Sequence, residues 1–176
     1  MARLPIVLYP EPVLLRPTVP VEAVDDSLRA LVADMVETMY AAPGIGLAAN
    51  QVARTERVCI VDISAGQEDD RLHVFINPEV LETEGLHVDE EGCLSFPGIN
   101  IDVERPFRVR LAALDLDGTP FEFESDGLLG RCIQHECEHL DGYTFLRNLS
   151  GLKRGIVKRR IRKRMKDEDW VAASAP

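Results

Sequence analysis

The chain has 176 residues, 45% of them hydrophobic, and a formal net charge of −10. That length supports one domain with one sizeable core and argues against two independent ones. No run of about 18 apolar residues offers a membrane span, and the N-terminus, interrupted by Pro10, Glu11 and Pro12, lacks a signal-peptide core, so a cytoplasmic protein with no membrane partner is expected.

Four cysteines (Cys59, Cys93, Cys132 and Cys137) do not make a secreted disulfide framework in a chain of this size, and reduced thiols or metal ligands are expected instead. Charge is divided unevenly. Residues 1–152 hold 11 basic against 27 acidic residues, a net −16, whereas residues 153–166 hold nine Lys or Arg, no acid and all four lysines of the chain.

In chain order, Asp25, Asp26 and Ser27 offer capping side chains. Leu28, Leu31, Val32, Met35, Val36 and Met39 then recur at spacings of three and four, which predicts an amphipathic helix ending near Pro43 and Gly44. Short β-type runs follow at residues 58–61 and 73–76, the second closed by Asn77-Pro78. Residues 99–103, 108–114 and 121–124 read as further strands, with Asp117-Gly118 as a hairpin turn between the last two. A second helix is expected over residues 127–141, closed by Gly142 in the left-handed conformation. Its polar residues Arg131, Gln134, Glu138 and Asp141 fall on one narrow stripe, which predicts a buried central helix. Ser150 caps a third helix whose apolar stripe is Leu152, Ile156, Ile161 and Met165, with basic residues covering the rest.

The central helix carries His135-Glu136-Cys137-Glu138-His139, an HExxH motif. A spacing of four puts both imidazoles on one helix face, one turn apart, as two ligands of one ion require. The plainer alternative is two core histidines that satisfy backbone groups. Against it stands the apolar company of Leu128 and Cys132 on the same face, where an unpaired imidazole would be costly to bury. A catalytic site typically takes three protein ligands and keeps one position open. The position six residues after the motif, where one protease pattern has a third His, is Phe145, and the Glu beyond the motif, Glu168, lies at the charged end of the basic helix. Cys93, in the Gly-flanked segment Glu91-Gly92-Cys93-Leu94-Ser95-Phe96-Pro97-Gly98, is the better candidate, because a thiolate beside a divalent ion binds tightly.

Three segments, Gly44-Ile45-Gly46-Leu47-Ala48-Ala49-Asn50-Gln51, Glu91-Gly92-Cys93-Leu94-Ser95 and Gln134-His135-Glu136-Cys137-Glu138-His139, resemble the three signature motifs of the peptide deformylase family in order and separation. The resemblance runs along almost the whole chain and is less diagnostic after Asn148. It implies removal of the formyl group from the initiator methionine of nascent polypeptides, with formate released. Carried over by position, Cys93, His135 and His139 would hold one divalent ion, Glu136 would act as general base and acid, and Gln51 and the NH of Leu94 would donate to the developing oxyanion. The resemblance also implies ferrous iron as the usual metal, with zinc, nickel or cobalt able to replace it.

Ile45, Gly46 and Leu47 are expected to line the substrate channel, since glycine lets a peptide lie close to the backbone, and Leu128 and Cys132 are expected to form the methionine pocket with Ile45. Two residues depart from the family's common pattern: Glu138, where Asp is usual, and Arg131, apolar in some members and expected here to edge the methionine pocket. The basic helix is either a solvated face or a surface for RNA phosphate; in the second case the family resemblance implies the ribosome near its exit tunnel as the partner. Two rival functions are a zinc endopeptidase and a non-enzymatic RNA-binding module; neither explains Gln51, Cys93 and Glu136 together.

The expected fold is α+β, with mixed or antiparallel sheets packed around the HExxH helix, an N-terminal helix and a C-terminal basic helix. Residues 1–148 would form the catalytic domain of a monomer, residues 149–166 the basic helix packed on it or extending from it, and residues 167–176 a flexible tail.

Overall fold

A computed structural model describes residues 2–172. The first long element is α1 (Asp26–Ala41), started by Asp25, whose carboxylate accepts from the Leu28 NH at 2.8 Å. Such a cap contributes about 1 kcal/mol. Seven strands follow: β1 (Gly46–Ala48), β2 (Val58–Val61), β3 (His73–Glu84), β4 (His87–Glu91), β5 (Ile101–Arg105), β6 (Arg108–Leu114) and β7 (Pro120–Asp126). They form a five-stranded sheet in the order β1-β2-β3-β6-β7 and a separate β4-β5 ribbon, and all the ladders are antiparallel. The chain then enters α2 (Gly127–Leu140), a short turn of helix at Phe145–Asn148, and α3 (Gly151–Lys166), which Ser150 caps by accepting from the Lys153 NH. The α+β expectation is met.

Within the larger sheet β2 is buried on both faces, which explains its unbroken apolar run. Val58 and Ile60 face the cluster built on Leu28, Leu31, Val32, Met35 and Met39 of α1, while Cys59 and Val61 face Ile133, Cys137 and Leu140 of α2. The central helix is therefore buried as expected, but its supposed polar stripe is not a solvent face: Arg131 and Gln134 are themselves buried. Gln134 donates to the carbonyls of Pro106 and Gly130, both at 3.0 Å, and Arg131 is bound by a carboxylate described below.

Other expectations need correction. The strand at residues 73–76 continues through Asn77-Pro78 to Glu84, because the pair forms an irregularity in the ladder rather than a turn. Asn77 has φ 51 and its side chain bonds both the NH and the carbonyl of Val21 at 2.8 Å, while Arg57 holds the Pro78 carbonyl. β1 and β4 are strands that composition did not announce: one is three residues long, and the other, His-Val-Asp-Glu-Glu, is mostly exposed. On α3 the buried residues are Val157 and Ile161, whereas Leu152, Ile156 and Met165 are exposed. The stretch 167–176, expected to be flexible, includes Trp170, which packs against the cluster of Phe96, Phe145 and Ile161; residues 173–176 of that stretch lie outside the described residues.

Candidate active site

Three elements converge at the site. β1 and the turn Ala49–Val52 bring Gln51, the segment after β4 brings Cys93, and α2 brings His135, Glu136 and His139. The ligand atoms of Cys93, His135 and His139 all lie within 4.8 Å of one another, and Cys93 Sγ is 3.2 Å from His139 Nε2. The two rings stand edge to face with centroids 4.9 Å apart. The HExxH histidines and the separate Gly-flanked thiol thus lie together in space.

His135 is oriented from behind. Its Nδ1 is 3.0 Å from Oε2 of Glu91, so that its other nitrogen is left for the site. Glu91 is buried and shared by two buried arginines: Arg105 contributes Nε at 2.5 Å and Nη2 at 3.0 Å, and Arg131 contributes Nη1 at 2.7 Å. Burial pushes the Glu91 carboxyl up, but His135 and Arg105 outweigh it and hold the pKa at about 2. Arg105 also pairs with Glu138 at 3.1 Å. Arg131 lines the cavity, but its guanidinium is committed to Glu91 and to the carbonyls of Val103 and His87, so it serves this network as well as any pocket edge.

The electrostatics suit a cation among the three ligands. Burial drives His139 well below the ordinary imidazole range and leaves it neutral, with one ring-nitrogen lone pair to share. Burial also opposes charge on His135, yet the neighbouring Cys93 and Glu91 raise it well above that range, so this point of the site favours positive charge. One thiol and two imidazoles form a donor set that fits zinc or ferrous iron. Glu136 is buried, its carboxyl pushed up to about 7 mainly by desolvation, and its Oε2 has no partner among the described residues. A carboxyl poised there can both take and return a proton near neutrality.

Gln51 is fixed as a donor. Its Oε1 accepts from the Ala48 NH at 2.9 Å, which turns Nε2 toward Cys93 Sγ at 3.5 Å and Ser95 Oγ at 3.2 Å. A cavity of about 410 Å³ opens beside these groups, lined by Ile45, Gly46, Gln51, Cys93, Leu94, Leu128, Cys132, His135 and Glu136 among others. Leu47 does not reach it. Its side chain is fully buried under α1, because the β1 pleat sends alternate residues to opposite faces. Gly46 faces Glu136 and Cys132 so closely that a Cβ there would stand 2.7 Å from Cys132 Sγ.

Sequence reasoning gave no role to Glu91, Arg105 or Asn50. Asn50 is buried, and its Nδ2 donates to the His139 carbonyl at 2.5 Å, tying the Gln51 turn to the end of α2. The place of Glu91 two residues before Cys93 was a usable signal for a group near the site; Arg105 offered none.

A helix-borne histidine pair, a thiol from a neighbouring segment and a buried carboxyl beside a cavity define a metal-dependent hydrolase. Comparison with known proteins makes the class specific. The family model for polypeptide deformylases matches residues 3–155. The chain is 52% identical over 164 residues to a peptide deformylase of Burkholderia multivorans, covering 93% of this chain and 90% of that protein. It is 48% identical over 169 residues to one of Pseudomonas aeruginosa, covering 96% and 99%. The crystal structure of a peptide deformylase from Legionella pneumophila superposes with a TM-score of 0.87 at 40% identity, over 95% of this chain and 98% of that one. The chain belongs to the polypeptide deformylase family, metal-dependent hydrolases that remove the N-formyl group from nascent peptides. No helix among the described residues is long and apolar enough to cross a membrane.

Proposed function

We propose that this chain releases formate from the N-terminal formyl-methionine of newly made polypeptides, using one divalent ion held by Cys93, His135 and His139. The observation that carries this reading is the meeting of those three ligand atoms beside a cavity that Gln51 and Glu136 also line. A bound divalent ion supplies Lewis acidity, polarising the formyl carbonyl and lowering the pKa of water. The family resemblance supports ferrous iron as the ion in the cell, with zinc, nickel or cobalt as replacements.

Glu136 takes the proton of the attacking water and delivers it to the amine as the formyl C–N bond breaks. Gln51 Nε2, already oriented by the Ala48 NH, and the NH of Leu94 donate to the oxyanion. The free edge of β1 offers backbone groups to an extended peptide, with Gly46 allowing close approach, so Leu47 takes part through its main chain alone. Ile45, Leu128 and Cys132 receive the methionine side chain, and Arg131 closes the pocket while holding Glu91.

The basic helix fits the second half of the proposal, docking at the ribosome of a cytoplasmic monomer. Arg154 and Arg164 are engaged with carbonyls of their own chain, but Lys158, Arg159 and Lys163 stand exposed on the outer side of α3. Such charges attract RNA phosphate through counterion release.

The test is anaerobic purification, metal analysis, and formate release from a formyl-Met peptide compared with acetate release from its acetyl counterpart. Selective formate release with about one metal per chain is expected; release from neither by metal-loaded protein overturns the reading. For docking, a Lys158→Glu, Arg159→Glu, Lys163→Glu variant should lose ribosome co-sedimentation at low salt, and unchanged co-sedimentation refutes that half alone.

A further inference from the structure

Beyond Cys93 the chain continues through Leu94, Ser95, Phe96, Pro97 and Gly98, and Leu94, Pro97 and Gly98 form one wall of the cavity. This segment is a turn rather than a strand, held internally by Phe96 NH to the Cys93 carbonyl at 2.9 Å and Ile99 NH to the Phe96 carbonyl at 3.1 Å. Its outer carbonyls are gripped from α3. Arg164 Nη1 donates to the Pro97 carbonyl, and Arg160 Nη2 approaches the Gly98 carbonyl at 3.5 Å. Gly98 has φ 66, and a Cβ there would stand 3.1 Å from Arg164 Nη1, so turn and guanidinium are fitted to each other.

Arg164 is itself held in place. Its Nε donates to Asp169 Oδ2 at 3.0 Å, its Nη2 donates to the Asp169 carbonyl at 2.8 Å, and its guanidinium lies 5.2 Å from the Trp170 ring centroid. Trp170 Nε1 donates to the Tyr9 carbonyl at 2.8 Å, and its ring meets Phe96 edge-on at 6.5 Å. Tyr9 stacks on Phe96 at 4.9 Å and donates its NH to the Ser95 carbonyl at 3.0 Å. A planar fork can serve Pro97 and Asp169 at once, which a lysine ammonium on its single stem does less well.

We propose that Arg164 and Trp170 are positioning residues for the substrate cleft, fixing residues 97–98 of its wall from behind. The inference rests on the reading of this cavity as the peptide site. The Cys93 end of the segment has its own restraint, because Gln51 Nε2 reaches both Cys93 Sγ and Ser95 Oγ. The clamp therefore bears on the end remote from the reacting atoms. Releasing it leaves a wall that must be ordered each time a peptide binds, and that weakens binding more than chemistry. The two sides of α3 thus have separate roles, the inner one on the cleft and the outer one in solvent.

The test compares Arg164→Met, Arg164→Lys, Trp170→Ala and Trp170→Phe in the full metal-loaded chain, with formyl-Met-Ala-Ser as substrate. Arg164→Met and Trp170→Ala should raise KM about fivefold with kcat within about twofold, as expected for loss of one ordering contact, and Trp170→Phe should recover most of the KM. Because Trp170 is the sole tryptophan, its emission should also change when wild-type enzyme is saturated with substrate, and Arg164→Met should abolish that change. Circular dichroism of all four variants checks that they remain folded. Formate release by wild type together with unchanged KM in folded Arg164→Met and Trp170→Ala overturns the inference and leaves the deformylase reading intact. No formate release from wild type overturns both.

Discussion

The Glu91 carboxylate stands 3.0 Å from Nδ1 of His135, two residues before Cys93 in the chain, so one segment brings a thiol to the site together with the group that orients the His135 ring. Arg105 and Arg131 hold that carboxylate charged inside the protein. Glu91→Gln should keep the volume but lose the charge that makes His135 a stronger donor. About 10–100-fold weaker zinc affinity is expected, measured by competition with a chromophoric chelator. Glu91→Ala should do more, since it leaves two buried guanidinium groups without their shared partner. A loss of about 3–5 kcal/mol in urea unfolding is expected, and a loss below 1 kcal/mol would contradict the buried network.

The direction of the Gln51 amide donor is set by the Ala48 NH. Gln51→Ala removes the donor and should lower kcat by about two to three decades, with KM changed far less, as expected for a contact made mainly in the transition state. Steady-state formate release checks this. Equal effects on kcat and binding of the deformylated product would assign Gln51 to ground-state binding instead.

Gly46 and Gly44 separate a catalytic constraint from an ordinary one. A Cβ at Gly46 would meet the Glu136 carboxylate and Cys132 Sγ, whereas at Gly44 the closest atom, at 2.8 Å, is the end of the flexible Leu94 side chain. Gly46→Ala should lower kcat/KM by at least about tenfold through displacement of Glu136, because small misplacements of reacting groups are expensive. Gly44→Ala should cost clearly less, as Leu94 can move aside and the Met39 carbonyl, 3.3 Å from the added Cβ, need give by only a few tenths of an ångström. Parallel kinetics of the two variants would reveal equal losses if the close approach at Gly46 were immaterial.

What the sequence made legible follows from how local each signal is. The HExxH pair is fixed by helix periodicity, and α1 and α2 by their apolar spacing and end signals, so both helices and His135 and His139 could be read directly. Cys93 required an argument about what else could be the third ligand. Arg131 looked like part of a polar face because periodicity cannot tell a solvated stripe from one buried against an ion network; the difference lies in Glu91, 40 residues away. The α3 stripe misled for a related reason. Leu152 and Ile156 are apolar yet exposed, while Val157 and Ile161 meet Phe96, Phe145 and Leu146, and nothing local to the helix says which side faces them. Leu47 reads as a channel residue because glycine lets a peptide lie along this backbone, but the alternation of the strand turns its side chain to the face under α1.

Asp62, the residue that follows β2, gives a pH prediction remote from Cys93, His135 and His139. Burial raises its pKa, but Ser64 through Oγ at 2.7 Å and NH at 2.8 Å, the Tyr40 hydroxyl at 2.7 Å and the Gly66 NH at 2.9 Å outweigh burial and bring it below the ordinary carboxylate value. Burial and the same carboxylate push Tyr40 up to about 12. A carboxyl with a lowered folded pKa contributes stability that is complete above its unfolded value, about 4, and is lost as pH falls through the folded one. Tyr40, with a raised pKa, contributes stability present below about 10 and lost as pH rises through about 12. Asp62→Asn should therefore cost about 2 kcal/mol at pH 7, since an amide cannot accept from all four donors, and the deficit should narrow only below about pH 4. Urea unfolding of both proteins across pH 3.5–8 checks the acid side. On the alkaline side, absorbance at 295 nm should show a tyrosinate transition near pH 12 that Tyr40→Phe removes. If Asp62→Asn and wild type shift in parallel across the whole acid range, the carboxylate is not the group that these four donors stabilise.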